Sequence, residues 1–145
     1  MKSLNLALSM VMAISLAGCG GDSTEPGTLS YVGTYNLAAV NNGALPALYF
    51  PNEPGLSITG GATTLRADNS FTETVNYSTF FAASGVTKLD TVIENGTYTV
   101  ADSRLTFTIA DKSSWRNGLW YTGTVNGDKL SFTWDGNSYL YRRTP

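Results

Sequence analysis

From residue 33 to the C-terminus, apolar and polar residues alternate with a period of two, and pairs drawn from Asn, Asp, Gly and Ser interrupt the alternation every several residues. A period of two puts successive side chains on opposite faces of an extended chain, so the pattern predicts half-buried β-strands and little helix. The first predicted strand covers residues 33–40, with Tyr35, Leu37 and Ala39 on one face. A long connection, residues 41–60, opens on Asn42-Gly43 and holds Pro46, Pro51 and Pro54. Proline cannot donate to a ladder, so this segment reads as loop or edge. Residues 62–67 and 70–79 form a predicted hairpin across Asp68-Asn69, with Leu65 facing Phe71 and Val75. A long strand over residues 89–100 pairs with 104–109 across Asp102-Ser103, residues 119–126 turn at Gly127-Asp128 into 129–134, and Asp135-Gly136 leads into 138–143.

These are eight short strands joined in order, an all-β arrangement that closes into a single antiparallel up-and-down barrel or splits into a sandwich. Closure removes both sheet edges, and no strand shows the inward lysines that guard an exposed edge, which favours the barrel. Gly33-Thr34-Tyr35, Gly96-Thr97-Tyr98 and Gly123-Thr124-Val125 echo one another, as do Leu105-Thr106-Phe107-Thr108 and Leu130-Ser131-Phe132-Thr133. Repeated hairpins produce such echoes without any duplicated site.

The start of the chain breaks the pattern. Lys2 supplies a positive charge, residues 4–16 are mostly apolar, and Leu16-Ala17-Gly18-Cys19 ends in small residues. About thirteen apolar residues are too few for the ~20 that a spanning helix needs, so the segment reads as an export signal. The Leu16-Ala17-Gly18-Cys19 tetrapeptide resembles the bacterial lipobox, and that resemblance implies acylation of the Cys19 thiol followed by cleavage before it. Residues 1–18 are then a lipoprotein signal peptide, residues 19–30 a lipidated flexible tether rich in Gly, Ser, Thr and Pro, and residues 31–145 the β-barrel domain. Two or three long acyl chains hold a protein on a membrane durably, since each buried methylene contributes ~0.8 kcal/mol. Gly20, where an aspartate retains some lipoproteins in the inner membrane, points to the outer membrane of a host with two membranes.

Removing 18 of the 145 residues leaves 127, room for one domain. Lys2 leaves with the signal, so 8 basic side chains face 11 acidic ones, and Arg142-Arg143 is the only adjacent basic pair. Nucleic-acid binding needs a basic patch that displaces counterions from phosphates, and this chain has none. With no histidine and one cysteine, the commonest general base, the usual zinc ligands and an internal disulfide are all missing. No nucleophile elbow, phosphate loop or calcium loop is present, so neither a cofactor nor a metal is expected.

The chemistry that remains is inward-facing polar side chains. Counting by twos from Phe71, Val75 and Tyr77 brings Glu73 inside, and the same count through Val92 and Tyr98 brings in Glu94. Tyr139, Tyr141 and Arg143 share a face. Glu73, Tyr77, Tyr141 and Arg143 are therefore the candidate ligand contacts, with Arg143 holding an anionic head. The competing reading puts these charges at barrel mouths in water, or pairs one glutamate with Arg143. Trp115 and Trp120 flank Arg116-Asn117-Gly118 and are expected to cap a barrel end, or else to contact a sugar or partner.

Gly33-Thr34-Tyr35, the long first connection, the meander of hairpins and the closing Tyr139-Leu140-Tyr141-Arg142-Arg143 resemble the lipocalin-like, or calycin, barrels. In that family an aromatic residue after the first-strand glycine is covered by a basic residue from the last strand; here Tyr35 would replace the usual Trp, and Arg142 or Arg143 would supply the cation. The resemblance implies the barrel fold; together with the lipobox at Cys19, the leading expectation is a non-enzymatic, membrane-anchored envelope protein that binds a small hydrophobic or amphipathic molecule or a partner. The alternative is a structural or protein-interaction module whose barrel is filled by its own side chains. Acid–base catalysis by carboxylate and tyrosine is a third, weaker reading.

Overall fold

A computed structural model describes residues 31–50 and 55–145; the signal, Cys19, the tether, Pro51 and Pro54 lie outside the described residues. The strands are β1 (Gly33–Val40), β2 (Ala47–Leu48), β3 (Leu56–Leu65), β4 (Ser70–Phe81), β5 (Val86–Ala101), β6 (Arg104–Ile109), β7 (Trp120–Asn126), β8 (Lys129–Trp134) and β9 (Asn137–Arg143). Each pairs antiparallel with the next from β3 to β9. The ring closes through β1, which pairs with β9 on one side and β3 on the other. The result is the eight-stranded up-and-down barrel expected from the sequence, with the two-residue β2 added beside β3.

Turn chemistry explains the hairpins. Asn69, Asp102 and Asp135 take φ of 63°, 56° and 48°, the left-handed region that short Asn and Asp side chains tolerate best among non-glycine residues. The Leu65–Phe71 pairing lies in register as expected. One boundary differs in kind. β3 begins at Leu56, inside the segment read as loop, because Leu56, Ser57 and Ile58 find partners in Thr79, Ser78 and Tyr77, the far part of a β4 already expected to reach residue 79. Gly60 and Gly61 had masked that strand.

The core alternates along each strand: Tyr35, Leu37, Ile58, Leu65, Phe71, Tyr98, Leu105, Phe107, Leu130, Phe132 and Tyr141 are all buried. Their rings meet mainly edge-on or tilted, as Phe71 and Phe107 do at 5.2 Å and 83°. A stacked pair, Phe107 on Tyr121 at 4.8 Å and 13°, continues the column. Gly96 makes this possible, since a Cβ there would collide with the Thr108 carbonyl oxygen and lie 2.5 Å from the Phe71 ring.

The barrel has two unlike ends. At the first lie the start of β1, the end of β9 and the short turns at 66–69, 102–103 and 127–128, so the chain enters and leaves there. At the second lie the connection after β1, the β4–β5 turn, residues 110–119 and Asp135-Gly136. β4 and β5 run past the barrel wall at this second end, and β6 pairs with β5 only from Gly96 onward.

Candidate functional site

Glu73 sits at mid-barrel on β4, in register with Thr63 on β3 and Glu94 on β5. Alternation sends it inward, where it is buried among apolar residues. Two phenols reach it from across the interior: the Tyr141 hydroxyl donates to Oε1 at 3.0 Å and the Tyr121 hydroxyl to Oε2 at 3.2 Å. Loss of water pushes the Glu73 carboxyl above the ordinary carboxylate range, although Arg116 and the Tyr141 hydroxyl pull the other way. The same burial, with Glu73 beside them, pushes the Tyr121 and Tyr141 phenols up, so both remain neutral donors.

Glu94 is also buried, but its partner comes from a loop. Arg116 Nη1 lies 2.6 Å from Glu94 Oε2, and the Ser114 hydroxyl donates to Oε1 at 2.8 Å. The Arg116 guanidinium carbon is 4.1 Å from the centre of the Trp134 ring and 5.8 Å from that of Tyr121, a cation–π stack in which the ring faces attract the charge. Ser114 also accepts from the Arg116 backbone N–H at 3.0 Å, which holds the turn that aims the arginine inward. At the same end the Tyr49 hydroxyl donates to Asp135 Oδ2 at 2.8 Å, tying the β2 segment to the β8–β9 turn.

Between these groups is a cavity of about 360 Å³ at the second end. Its walls are mainly aromatic and aliphatic, including Tyr49, Val75, Tyr77, Phe132, Trp134 and Tyr139, and its polar groups include Glu73, Glu94 and Arg116. Burial raises Tyr77 to about 12, so its hydroxyl is a neutral hydrogen-bonding group at any physiological pH.

The four candidate contacts separate into three places. Glu73 and Tyr77 line the cavity. Tyr141 is fully buried and grips Glu73 from the core. Arg143 is not among the lining residues. It lies at the first end, where Nη2 donates to the Tyr35 hydroxyl at 2.8 Å and the guanidinium stacks on the Tyr35 ring. The ion pair that was possible between a glutamate and Arg143 is made instead by Arg116 with Glu94. The tryptophans do not close the end: Trp115, at the edge of the cavity, is 84% exposed and Trp120 is 66% exposed on the outer wall, while Arg116 between them turns inward to Glu94.

Sequence reasoning missed Arg116 as a site residue, because a loop arginine carries no periodicity to say which way it points. The usable signal was two inward carboxylates on adjacent strands, which call for a cation somewhere. Among the described residues, no group of three or more Asp, Glu, Cys or His is placed to hold a metal.

The fold and site define a closed antiparallel barrel with a packed core and, at its second end, a hollow whose walls are mainly aromatic and aliphatic. No protein-family profile and no curated protein matches the chain. Two solved structures are similar to it, each with a TM-score of 0.43 and with 79% of this chain and 99% of that chain covered: an uncharacterized protein from Bacteroides eggerthii at 14% identity, and a lipocalin-like protein from Bacteroides uniformis at 12%.

Proposed function

We propose that this protein is a lipid-anchored, non-enzymatic binding protein of a bacterial cell envelope, and that the cavity at the second end takes one small amphipathic molecule. The cavity carries this reading: about 360 Å³ falls within the range of small-molecule sites, and apolar walls with a few convergent polar groups are their usual chemistry. It also counts against a barrel wholly filled by its own side chains. Tyr77, Val75 and Trp134 contact the apolar body, and Glu73 and Arg116 face its polar head. Tyr141 positions Glu73, and Arg143 braces the far end. No histidine stands beside the carboxylates, the Ser114 hydroxyl that touches Glu94 is held in a turn by the Arg116 backbone N–H, and both Glu73 oxygens are already engaged, which supports binding over catalysis.

Anchoring rests on the Leu16-Ala17-Gly18-Cys19 resemblance, and outer-membrane placement on Gly20. The chain enters the barrel at the end opposite the cavity, so an anchored domain presents its mouth away from the tether.

The test is a titration of the purified full chain, in detergent, with decanol, decylamine and decanoate, reading tryptophan fluorescence. At least one amphiphile binds saturably, and Tyr77→Ala weakens it while Arg143→Ala does not. Absence of saturable binding by all three, with no small molecule recovered on solvent extraction and mass spectrometry, overturns the reading.

A further inference from the structure

The outer half of β5 has a partner on one side only. Residues 86–94 pair with β4, whereas β6 joins β5 at Gly96 and, among the described residues, no strand lies along the other edge of 86–94. Residues 86–93 are exposed, and Leu89 is 73% exposed. A closed barrel normally abolishes edges. Here one remains, carrying Val86, Leu89, Val92 and Ile93 with no proline to block it.

The sequence of that edge is self-complementary. Val86-Thr87-Lys88-Leu89-Asp90-Thr91-Val92 reads the same from either end except that lysine exchanges with aspartate. An antiparallel copy related by a two-fold axis through Leu89 sets Val86 opposite Val92, Thr87 opposite Thr91, Lys88 opposite Asp90, and Leu89 opposite itself. Every opposed pair is then alike or oppositely charged, the combinations that stabilise cross-strand contacts. The neighbouring registers are penalised. An axis through Lys88 brings two lysines together, and an axis through Asp90 two aspartates. In the single chain Lys88 Nζ lies 3.9 Å from Asp90 Oδ2 with both side chains mostly in water, so the two charges are free to exchange partners across an interface.

We infer that the free edge of β5 binds the same edge of a second copy, forming a two-fold dimer whose two barrels share a sheet continuous through residues 86–92. A two-fold relation makes the interface isologous and closed, so assembly stops at two. Thr91 and Val92 belong both to this edge and to the cavity wall, but the pairing is made along the backbone edge of the strand and requires no ligand in the cavity.

Two measurements test it on the full chain in detergent. Directly opposed residues have Cβ atoms about 4.5–5.5 Å apart, within reach of a disulfide after slight adjustment. Leu89→Cys therefore oxidises to a dimer linked 89 to 89, identified by mass spectrometry of the joined peptide, with the unsubstituted chain as control for Cys19. Thr87→Cys and Thr91→Cys do not link alone but link to each other when mixed. In sedimentation, Lys88→Asp and Asp90→Lys each weaken the dimer by on the order of tenfold, because two like-charged contacts replace two attractive ones. Mixing the two variants restores it, since each then meets its opposite. A chain that stays monomeric with no 89–89 link, or Thr91→Cys linking alone as readily as Leu89→Cys, or no restoration on mixing, overturns the inference.

Discussion

Arg143 lies across Tyr35: its guanidinium carbon is 5.1 Å from the ring centre and its Nη2 donates to the ring's hydroxyl at 2.8 Å, while that hydroxyl donates onward to the Tyr31 carbonyl at 2.8 Å. The two residues are directly paired across β1 and β9, the strands that close the ring. Gly33 clears the space, since a Cβ there would stand 3.2 Å from Arg143 Nε. Tyr35→Ala is expected to destabilise the domain by ~3 kcal/mol or more, through lost burial and an open cavity at the first end. Urea unfolding monitored by circular dichroism measures it, and a change below about 0.5 kcal/mol would show that the closure does not depend on this contact.

Glu73 makes stability depend on pH in an unusual direction for a carboxylate. Its folded value is raised by burial, so between the ordinary glutamate value near 4.3 and that raised value the folded state binds more protons than the unfolded one. Stability contributed by Glu73 is thus fully present below about pH 4.3 and is lost as pH climbs through the folded value. Glu73→Gln removes this dependence. Asp68 and Asp111, held below their ordinary values by Ser70 and Ser113, act with the opposite sign but are common to both proteins. The difference in unfolding free energy, wild type minus Glu73→Gln, should therefore fall as pH rises above about 4.3 and level off beyond the raised folded value; a flat difference contradicts the account.

The Arg116–Glu94 pair joins a loop to the barrel interior, with only 12% and 3% of the two side chains exposed. Removing either partner strands the other charge out of water, so Arg116→Met and Glu94→Gln should each cost on the order of 3 kcal/mol. The double variant should cost clearly less than the two together, because neither charge is then left alone. Equal and additive losses would mean that Arg116 acts through its stack on Trp134 and not through Glu94. Limited proteolysis between residues 110 and 119 should speed up in Arg116→Met.

Cys19→Ser is expected to leave the chain unacylated and uncleaved at Gly18. Growth with a labelled fatty acid, followed by gel analysis of the enriched protein, reads both effects at once. A Ser variant that still takes up label would remove the anchor from the proposed function.

Local pattern carried much of this architecture. β1, β6 and β8 have the bounds that alternation and turn residues predict, because a half-buried strand must put every second side chain inside and Asn, Asp and Gly accept the turn geometry between strands. The inward direction of Glu73, Glu94, Tyr139 and Tyr141 follows from the same parity. Parity along one strand says nothing about height in the barrel or about what comes across from elsewhere. Arg143 shares its face with Tyr141, yet it lies at the end away from the cavity, because β9 runs from the second end to the first. Arg116 fills the place expected of a cation near the glutamates because residues 110–119 fold back over the second end, a path set by hydrogen bonds to Glu94, Asn95 and Ile109 that no local pattern records. The free edge of β5 likewise arises from unequal lengths: β5 has 16 residues and β6 only 6, so the hairpin partner ends while the strand continues. Alternation chose which side chains turn inward; the closing of the ring and the packing of its loops chose which of them meet.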